Sequence, residues 1–408
     1  MKTKSALYEA LETLFPNFRK ICVVTNCFPP YPKDAYSLAV GGISRKYEEI
    51  AEELQRFKKA LSVISLYYCR VSDYQDASGV YRIGVYRPYT HYKTWRFLFL
   101  LEFFNPLVFS RCVTILSRER PDSVIIGSSL QISLAPILAA KLLGIPVVVQ
   151  HDWLCPSLSP RKQACSLATR VTDCGKCLEE EIMSRQNRVV KLIFGSFSAF
   201  MLLVKKSLWN RCLVFAEGDY FRDLYVASGI KPERILIVPP SPTVVDSTDC
   251  DRNFLSRLRA MKGDAKIIAY VGRLSAEKGI TLLLESFRIL RRRADRAFKL
   301  VIAGDGIVHD LVCKEAKNDS AVVFLGWVEK DRLKCVYEIA DIVVIPTIRP
   351  EAFPHVALEA LAFNKKVVGF RMGGLLEIAK KNKLVTLVDK TDPQSLANAM
   401  LTLMDSEK

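Results

Sequence analysis

The sequence has no apolar stretch approaching the roughly 20 residues that a helix needs to span a bilayer. Leu192 to Val204 is largely apolar between Lys191 and Lys205-Lys206, and Trp95 to Ile115 is interrupted by Glu102, Asn105, Pro106 and Arg111. Burial as core helices is the plain expectation for both, with docking at a membrane interface as the alternative. No G-x-G-x-x-G occurs, which removes the main support for a nicotinamide or flavin site. There is no internal repeat or low-complexity tract. With 19 Gly in 408 residues and half of all residues hydrophobic, a collagen-like or disordered chain is excluded. No signal peptide opens the chain: Leu7, Leu11 and Leu14 recur at helical spacing among charges, so a short amphipathic helix and a cytoplasmic protein are expected. The single Asp-x-Asp, Asp249-Cys250-Asp251, reads as a solvated turn.

Acidic residues are scarce. Against 59 Lys+Arg there are 43 Asp+Glu, a net charge of +16, so an anionic partner is expected: nucleic acid, a phosphorylated small molecule or a membrane surface. Residues 1–245 carry 32 basic and 21 acidic side chains (+11), and residues 246–408 carry 27 and 22 (+5). The bias therefore belongs mainly to the first part of the chain. Several of the 12 Cys (Cys22, Cys69, Cys112, Cys212, Cys313) sit in apolar runs, where Cys acts as a small hydrophobe.

Short β-branched runs alternate with longer helical periodicities, the pattern of parallel sheets flanked by helices. Strands are expected at Ile21 to Thr25, Leu61 to Leu66, Ser123 to Ile126 and Pro146 to Gln150, with helices at Gly42 to Phe57 and Ile132 to Leu143. A second series begins with strand Ile267 to Val271 and helix Gly279 to Arg293. Strand Lys299 to Ala303, helix Val308 to Lys317 and strands Val322 to Leu325 and Ile342 to Ile345 follow. Helix Val356 to Ala362, strand Lys366 to Gly369 and helix Pro393 to Met404 complete it. Pro239-Pro240-Ser241-Pro242 separates the series. The expectation is an α/β chain with one domain over residues 1–240, a linker over 241–265 and a second domain over 266–408, the two facing a cleft.

The second series carries the chemistry. Strand Ile267 to Val271 runs into Gly272-Arg273-Leu274-Ser275-Ala276-Glu277-Lys278-Gly279 and then a helix. A Gly at the strand end permits close backbone approach, while an Arg fork and a Lys point charge suit a diphosphate. Gly304-Asp305-Gly306 follows the next strand and by itself is a tight turn. Pro350-Glu351-Ala352-Phe353-Pro354-His355-Val356-Ala357-Leu358-Glu359 places two carboxylates across a loop and a helix start, where each can accept from sugar hydroxyls. Gly373-Gly374 precedes a helix, with amides that can face a phosphate.

Taken together with Phe324-Leu325-Gly326, Ala340-Asp341 and Glu377, these segments resemble the family-four retaining glycosyltransferases over nearly all of residues 266–400. The resemblance implies a GT-B fold: two Rossmann-like parallel-sheet domains, the first on the acceptor side and the second binding a nucleoside-diphosphate sugar. It also implies transfer of the sugar to a hydroxyl of a glycan, lipid carrier or small acceptor, with no cofactor or catalytic metal required. Arg273 and Lys278 would meet the diphosphate, Glu351 the sugar hydroxyls and Glu359 the ribose, with Gly272, Gly304, Phe353, His355, Val356, Gly373 and Gly374 around the donor. Pro354 stands where many members have Gly and removes one backbone donor. In the first domain, Phe28-Pro29-Pro30-Tyr31-Pro32 with Gly41-Gly42-Ile43-Ser44 resembles the family's phosphate-side loop. Val147 to Asp152 resembles the strand that ends in a His bordering the donor sugar, here His151; a structural His is the competing view. Tyr220 to Val238 resembles a later run of the family, with Glu217 in place of the usual Ser and Pro239-Pro240 in place of Asn-Gly. Helix Pro393 to Met404 ends close to Lys408, whereas the family usually continues with a helix crossing back to the first domain.

Cys155, Cys165, Cys174 and Cys177 lie in a polar segment after His151, and four thiolates including a C-x2-C can hold a structural zinc; disulfides and free thiols are the alternatives. A basic zinc-knuckle protein that binds nucleic acid would explain the quartet and the charge, but leaves Arg273, Lys278, Glu351 and Glu359 as coincidence, so no nucleic acid is expected. A GT-B epimerase or phosphorylase is a nearer rival. The +11 of residues 1–245 points to a polyprenyl-phosphate-type acceptor or an anionic membrane surface met from the cytoplasmic side.

Overall fold

The computed structural model describes residues 5–25, 50–67, 74–75, 80–84, 104–127, 134–150, 200, 203–204, 206–227, 229–240, 251–351 and 353–405. The chain forms two compact units, residues 1–240 and 241–408.

In the first unit, β1 (Lys20–Thr25), β2 (Ala60–Tyr67), β3 (Tyr74–Gln75), β4 (Tyr81–Gly84), β5 (Ser123–Ile126), β6 (Val147–Gln150), β7 (Leu213–Ala216) and β8 (Ile235–Ile237) form one sheet in the order β3-β4-β2-β1-β5-β6-β7-β8. All neighbours are parallel except β3 and β4. The strands read as continuous apolar runs because β1, β5 and β6 are buried almost throughout, as parallel strands covered on both faces must be. The expected amphipathic start is α1 (Ala6–Leu14), capped by the Ser5 hydroxyl accepting from Tyr8 N–H at 3.1 Å, with Leu7 and Leu11 buried.

The Trp95 to Ile115 stretch is described from Phe104 onward. Asn105 caps α2 (Pro106–Glu119), accepting from Leu107 and Val108 N–H at 3.1 and 3.2 Å, and Val108, Cys112 and Leu116 share its buried face. The helix packs on α3 (Ala135–Leu142) as part of the core, while Phe104 and Leu107 remain exposed. No described helix is long and apolar enough to cross a membrane. After β7 comes α4 (Asp219–Ala227), with Phe221 and Tyr225 buried. Gly41, Gly42, His151, Cys155, Cys165, Cys174 and Cys177 lie outside the described residues. Cys22, Cys112 and Cys212 are buried as expected, and burial pushes the Cys112 thiol up to about 12.

In the second unit, β9 (Lys266–Val271), β10 (Phe298–Ala303), β11 (Val322–Gly326), β12 (Ile342–Ile345), β13 (Lys366–Phe370) and β14 (Val385–Val388) form an all-parallel sheet ordered β11-β10-β9-β12-β13-β14. Alternate residues feed opposite faces. Ile268, Tyr270, Leu300, Ile302 and Val344 pack with α6 (Ile280–Arg293) and α11 (Pro393–Asp405). Ile267, Ala269, Val301, Val343 and Ile345 pack with α5 (Arg252–Lys262), α8 (Lys330–Ile339), α9 (His355–Ala362) and α10 (Leu375–Lys381). The remaining helix, α7 (His309–Asn318), buries Val312.

Part of the expected linker is a helix. Asp251, expected in a solvated turn, is the N-cap of α5: its carboxylate accepts from Phe254 N–H at 3.0 Å and from Arg332 of α8 at 3.0 Å, while Leu255 and Leu258 are buried. An N-cap Asp followed by an apolar residue every three to four positions outweighs the polar composition that suggested a spacer.

Candidate active site

The residues singled out in the second unit converge beyond the carboxyl ends of its strands, where open α/β sheets bind ligands. β9 ends in Gly272, which has φ of 151° and donates to Ala303 O at 3.0 Å. The Tyr270 hydroxyl donates to Arg273 O at 2.7 Å, and Leu274 N–H donates to Asp305 O at 2.9 Å. A Cβ on Gly304 would lie 1.8 Å from Gly272 O, and one on Gly306 would lie 2.3 Å from Leu274 O. The loops after β9 and β10 thus pack backbone against backbone, and this packing explains the glycine at 304 without a ligand.

The loop after β9 is equally tied to the loop after β12. Gly279, at φ of 72°, precedes α6, and a Cβ there would lie 1.8 Å from Pro346 O; Ile348 N–H donates to Glu277 O at 3.1 Å. Through these ties Lys278 Nζ reaches Glu351 Oε2 at 2.7 Å, while Thr347 Oγ1 donates to Glu351 Oε1 at 2.6 Å. Burial alone would raise the Glu351 carboxyl, but Lys278, the Thr347 hydroxyl and Arg273 outweigh it and hold Glu351 below the usual carboxylate range. Arg273, 40% exposed, pairs with Glu277 at 3.3 Å. The structure thus brings Arg273, Lys278 and Glu351 together, with each cation facing a carboxylate of its own chain.

Glu359 lies one turn into α9 and is 3% exposed, with Oε2 accepting from the Tyr337 hydroxyl; Tyr337 is fully buried and stacked on Phe363. Pro354 is the buried N-cap residue of α9, which starts at His355. Phe353 and Val356, expected around the donor, are partly buried and pack against the apolar core, because the segment between the carboxylates must bury its hydrophobic side chains. The Gly374 amide, expected to face a phosphate, donates to Glu351 O at 2.9 Å, and a Cβ on Gly373 would lie 2.5 Å from that same oxygen. The glycine pair therefore seats the Glu351 backbone.

Sequence reasoning missed Thr347, Tyr337 and Tyr270. Thr347 precedes Glu351 by four residues in a Pro-flanked loop with no periodicity, and Tyr337 lies on a helix that was not anticipated. Among the described residues no group of three or more His, Cys, Asp or Glu could hold a metal ion.

The model of the family described as glycosyl transferases group 1 matches residues 251–408. An uncharacterized glycosyltransferase of Methanocaldococcus jannaschii is 29% identical over 395 residues, 93% of this chain and 87% of that protein. A D-inositol 3-phosphate glycosyltransferase of Corynebacterium efficiens is 30% identical over 188 residues; the match spans 43% of this chain and less than half, 44%, of that protein. Among solved structures, Anabaena HepE in complex with UDP superposes with a TM-score of 0.62 at 18% identity, covering 95% of this chain and 91% of that one, a likeness of fold.

Proposed function

We propose that the chain, whose residues 251–408 match the glycosyl transferases group 1 family and whose fold is GT-B, is a glycosyltransferase that moves a sugar from a nucleoside-diphosphate sugar to a hydroxyl acceptor with retention at the anomeric carbon. The observation that carries this reading is the contact between Lys278 and Glu351, 2.7 Å apart on loops beyond neighbouring strands β9 and β12, with Arg273 close enough to act on the same carboxylate. When the anomeric C–O bond breaks, negative charge develops on the departing diphosphate. Arg273 and Lys278 are preorganised donors for that charge. Glu351, held ionised, accepts from sugar hydroxyls and keeps Lys278 extended toward the phosphates. Same-face attack lets the acceptor proton pass to a departing phosphate oxygen, which preserves the configuration.

A nucleotide-sugar donor is supported by HepE, whose structures were solved with UDP and with UDP-glucose. An anionic acceptor or acceptor-bearing surface is supported by the +11 over residues 1–245 and by the phosphorylated acceptor in the name of the Corynebacterium relative. The test is a thermal-shift screen against UDP-, GDP- and ADP-sugars, followed by measurement of nucleoside-diphosphate release. One donor class should raise the melting temperature, and its release should need a hydroxyl acceptor. Turnover of the nucleotide sugar without any acceptor would point to the epimerase instead.

A further inference from the structure

Cys313 was expected to act as a small hydrophobe, yet it lies half-buried on α7 within a chain of polar contacts that the proposed transfer reaction does not use. Asp305 Oδ1 lies 2.9 Å from His309 Nδ1, and His309 Nε2 lies 3.2 Å from Cys313 Sγ. A carboxylate can only accept, so Nδ1 carries a proton, and in the neutral ring Nε2 is left to accept from the thiol. Both flanking groups are held in place. Asp305 Oδ1 also accepts from its neighbour Gly306 N–H at 2.7 Å, and Asp305 O accepts from Leu274. The His309 ring meets Phe324 edge-on, with centroids 5.2 Å apart and planes at 75°, which limits its rotation. Nucleophile, base and orienting carboxylate thus follow one another at four-residue steps, a constellation that activates a nucleophile.

We propose that Cys313 is a covalent modification site whose thiol, deprotonated by His309, takes up a low-molecular-weight disulfide of the glutathione type. His309 Nε2 removes the thiol proton and the Cys313 thiolate attacks one sulfur of the disulfide. The new S–S bond forms as the old one breaks, and the departing thiolate recovers the proton from His309, leaving one mixed disulfide and one free thiol. His309 and Asp305 are 43% and 55% exposed, so their surroundings admit a solvent-borne reagent.

The test exposes the full chain to oxidised glutathione at neutral pH and follows the Cys313-containing peptide by mass spectrometry. The glutathione adduct should form at Cys313 and disappear on reduction, while the buried Cys22, Cys112 and Cys212 stay unmodified. In His309→Gln and Asp305→Asn, adduct formation should be about tenfold slower or more. Wild-type rates in both variants, or no adduct at Cys313 in the unaltered chain, would overturn the proposal. The mass readout involves no sugar transfer, so it stands or falls separately from the transferase reading.

Discussion

Glu119 in the first unit and Glu351 in the second make nearly the same contacts at opposite ends of their sheets. Glu119, closing α2, accepts from Lys20 at 2.5 Å, from Ser62 at 2.8 Å and from the Tyr81 hydroxyl. Lys20 and Tyr81 are the first residues of β1 and β4, so the cluster ties amino ends of strands together. Glu351 accepts from Lys278 and Thr347 beyond the carboxyl ends of β9 and β12. Asp341, just before β12, makes a related tie at an amino end, accepting from Ile267 N–H at 2.7 Å and pairing with Lys262 and Lys266. A lysine and a hydroxyl at a carboxylate therefore form a fold latch at one end of a parallel sheet and, under the proposed function, a site element at the other, so that position separates the two.

Substitutions can break this comparison. The largest effect is expected at the carboxyl end: Glu351→Gln or Lys278→Ala should lower nucleotide-sugar turnover about 100-fold or more. Glu119→Gln should do the converse, costing about 2 kcal/mol in chemical denaturation through lost charge-assisted bonds, with donor binding to the second unit intact. The pH dependence sharpens the contrast. Burial pushes the Glu119 carboxyl up, but bonds from Lys20, Tyr81 and Ser62 outweigh it and hold it at about 2, against 4.5 for an ordinary glutamate. A carboxylate depressed on folding contributes stability that is present above the unfolded value and lost as pH falls toward the folded one. The first unit should thus lose stability from about pH 4.5 toward pH 2, and urea denaturation of Glu119→Gln should show a flatter profile over that range. The smallest effect belongs to Tyr337→Phe. Without the Tyr337 hydroxyl the Glu359 carboxylate is less fixed, and the donor dissociation constant, read by calorimetry, should rise a few-fold with turnover little changed.

How much of this was legible in the sequence follows the same divide. Strands such as Ser123 to Ile126 and Ile342 to Ile345 coincide with β5 and β12, because buried parallel strands are unbroken β-branched runs. Arg273, Lys278 and Glu351 could be singled out as candidates because loops after strands concentrate polar residues in fixed order. The Gly374 amide, read in the sequence as able to face a phosphate, donates to Glu351 O, and spacing carries no trace of such a bond. Helices α5 and α8 were overlooked, since Asp249 to Arg252 resembles a spacer and Lys330 to Ile339 carries charges among its apolar positions. Tyr337 and Thr347 act through contacts with residues 22 and four positions away, respectively. Only the folded chain makes them neighbours of the site.

The central claim is that the carboxyl-end pair of Lys278 and Glu351 serves sugar transfer. Its most direct test is nucleoside-diphosphate release from the preferred nucleotide sugar, measured side by side for the unaltered protein, Glu351→Gln and Glu119→Gln. The account predicts release that falls about 100-fold in Glu351→Gln and persists in Glu119→Gln wherever that protein remains folded. Wild-type release by Glu351→Gln would contradict it.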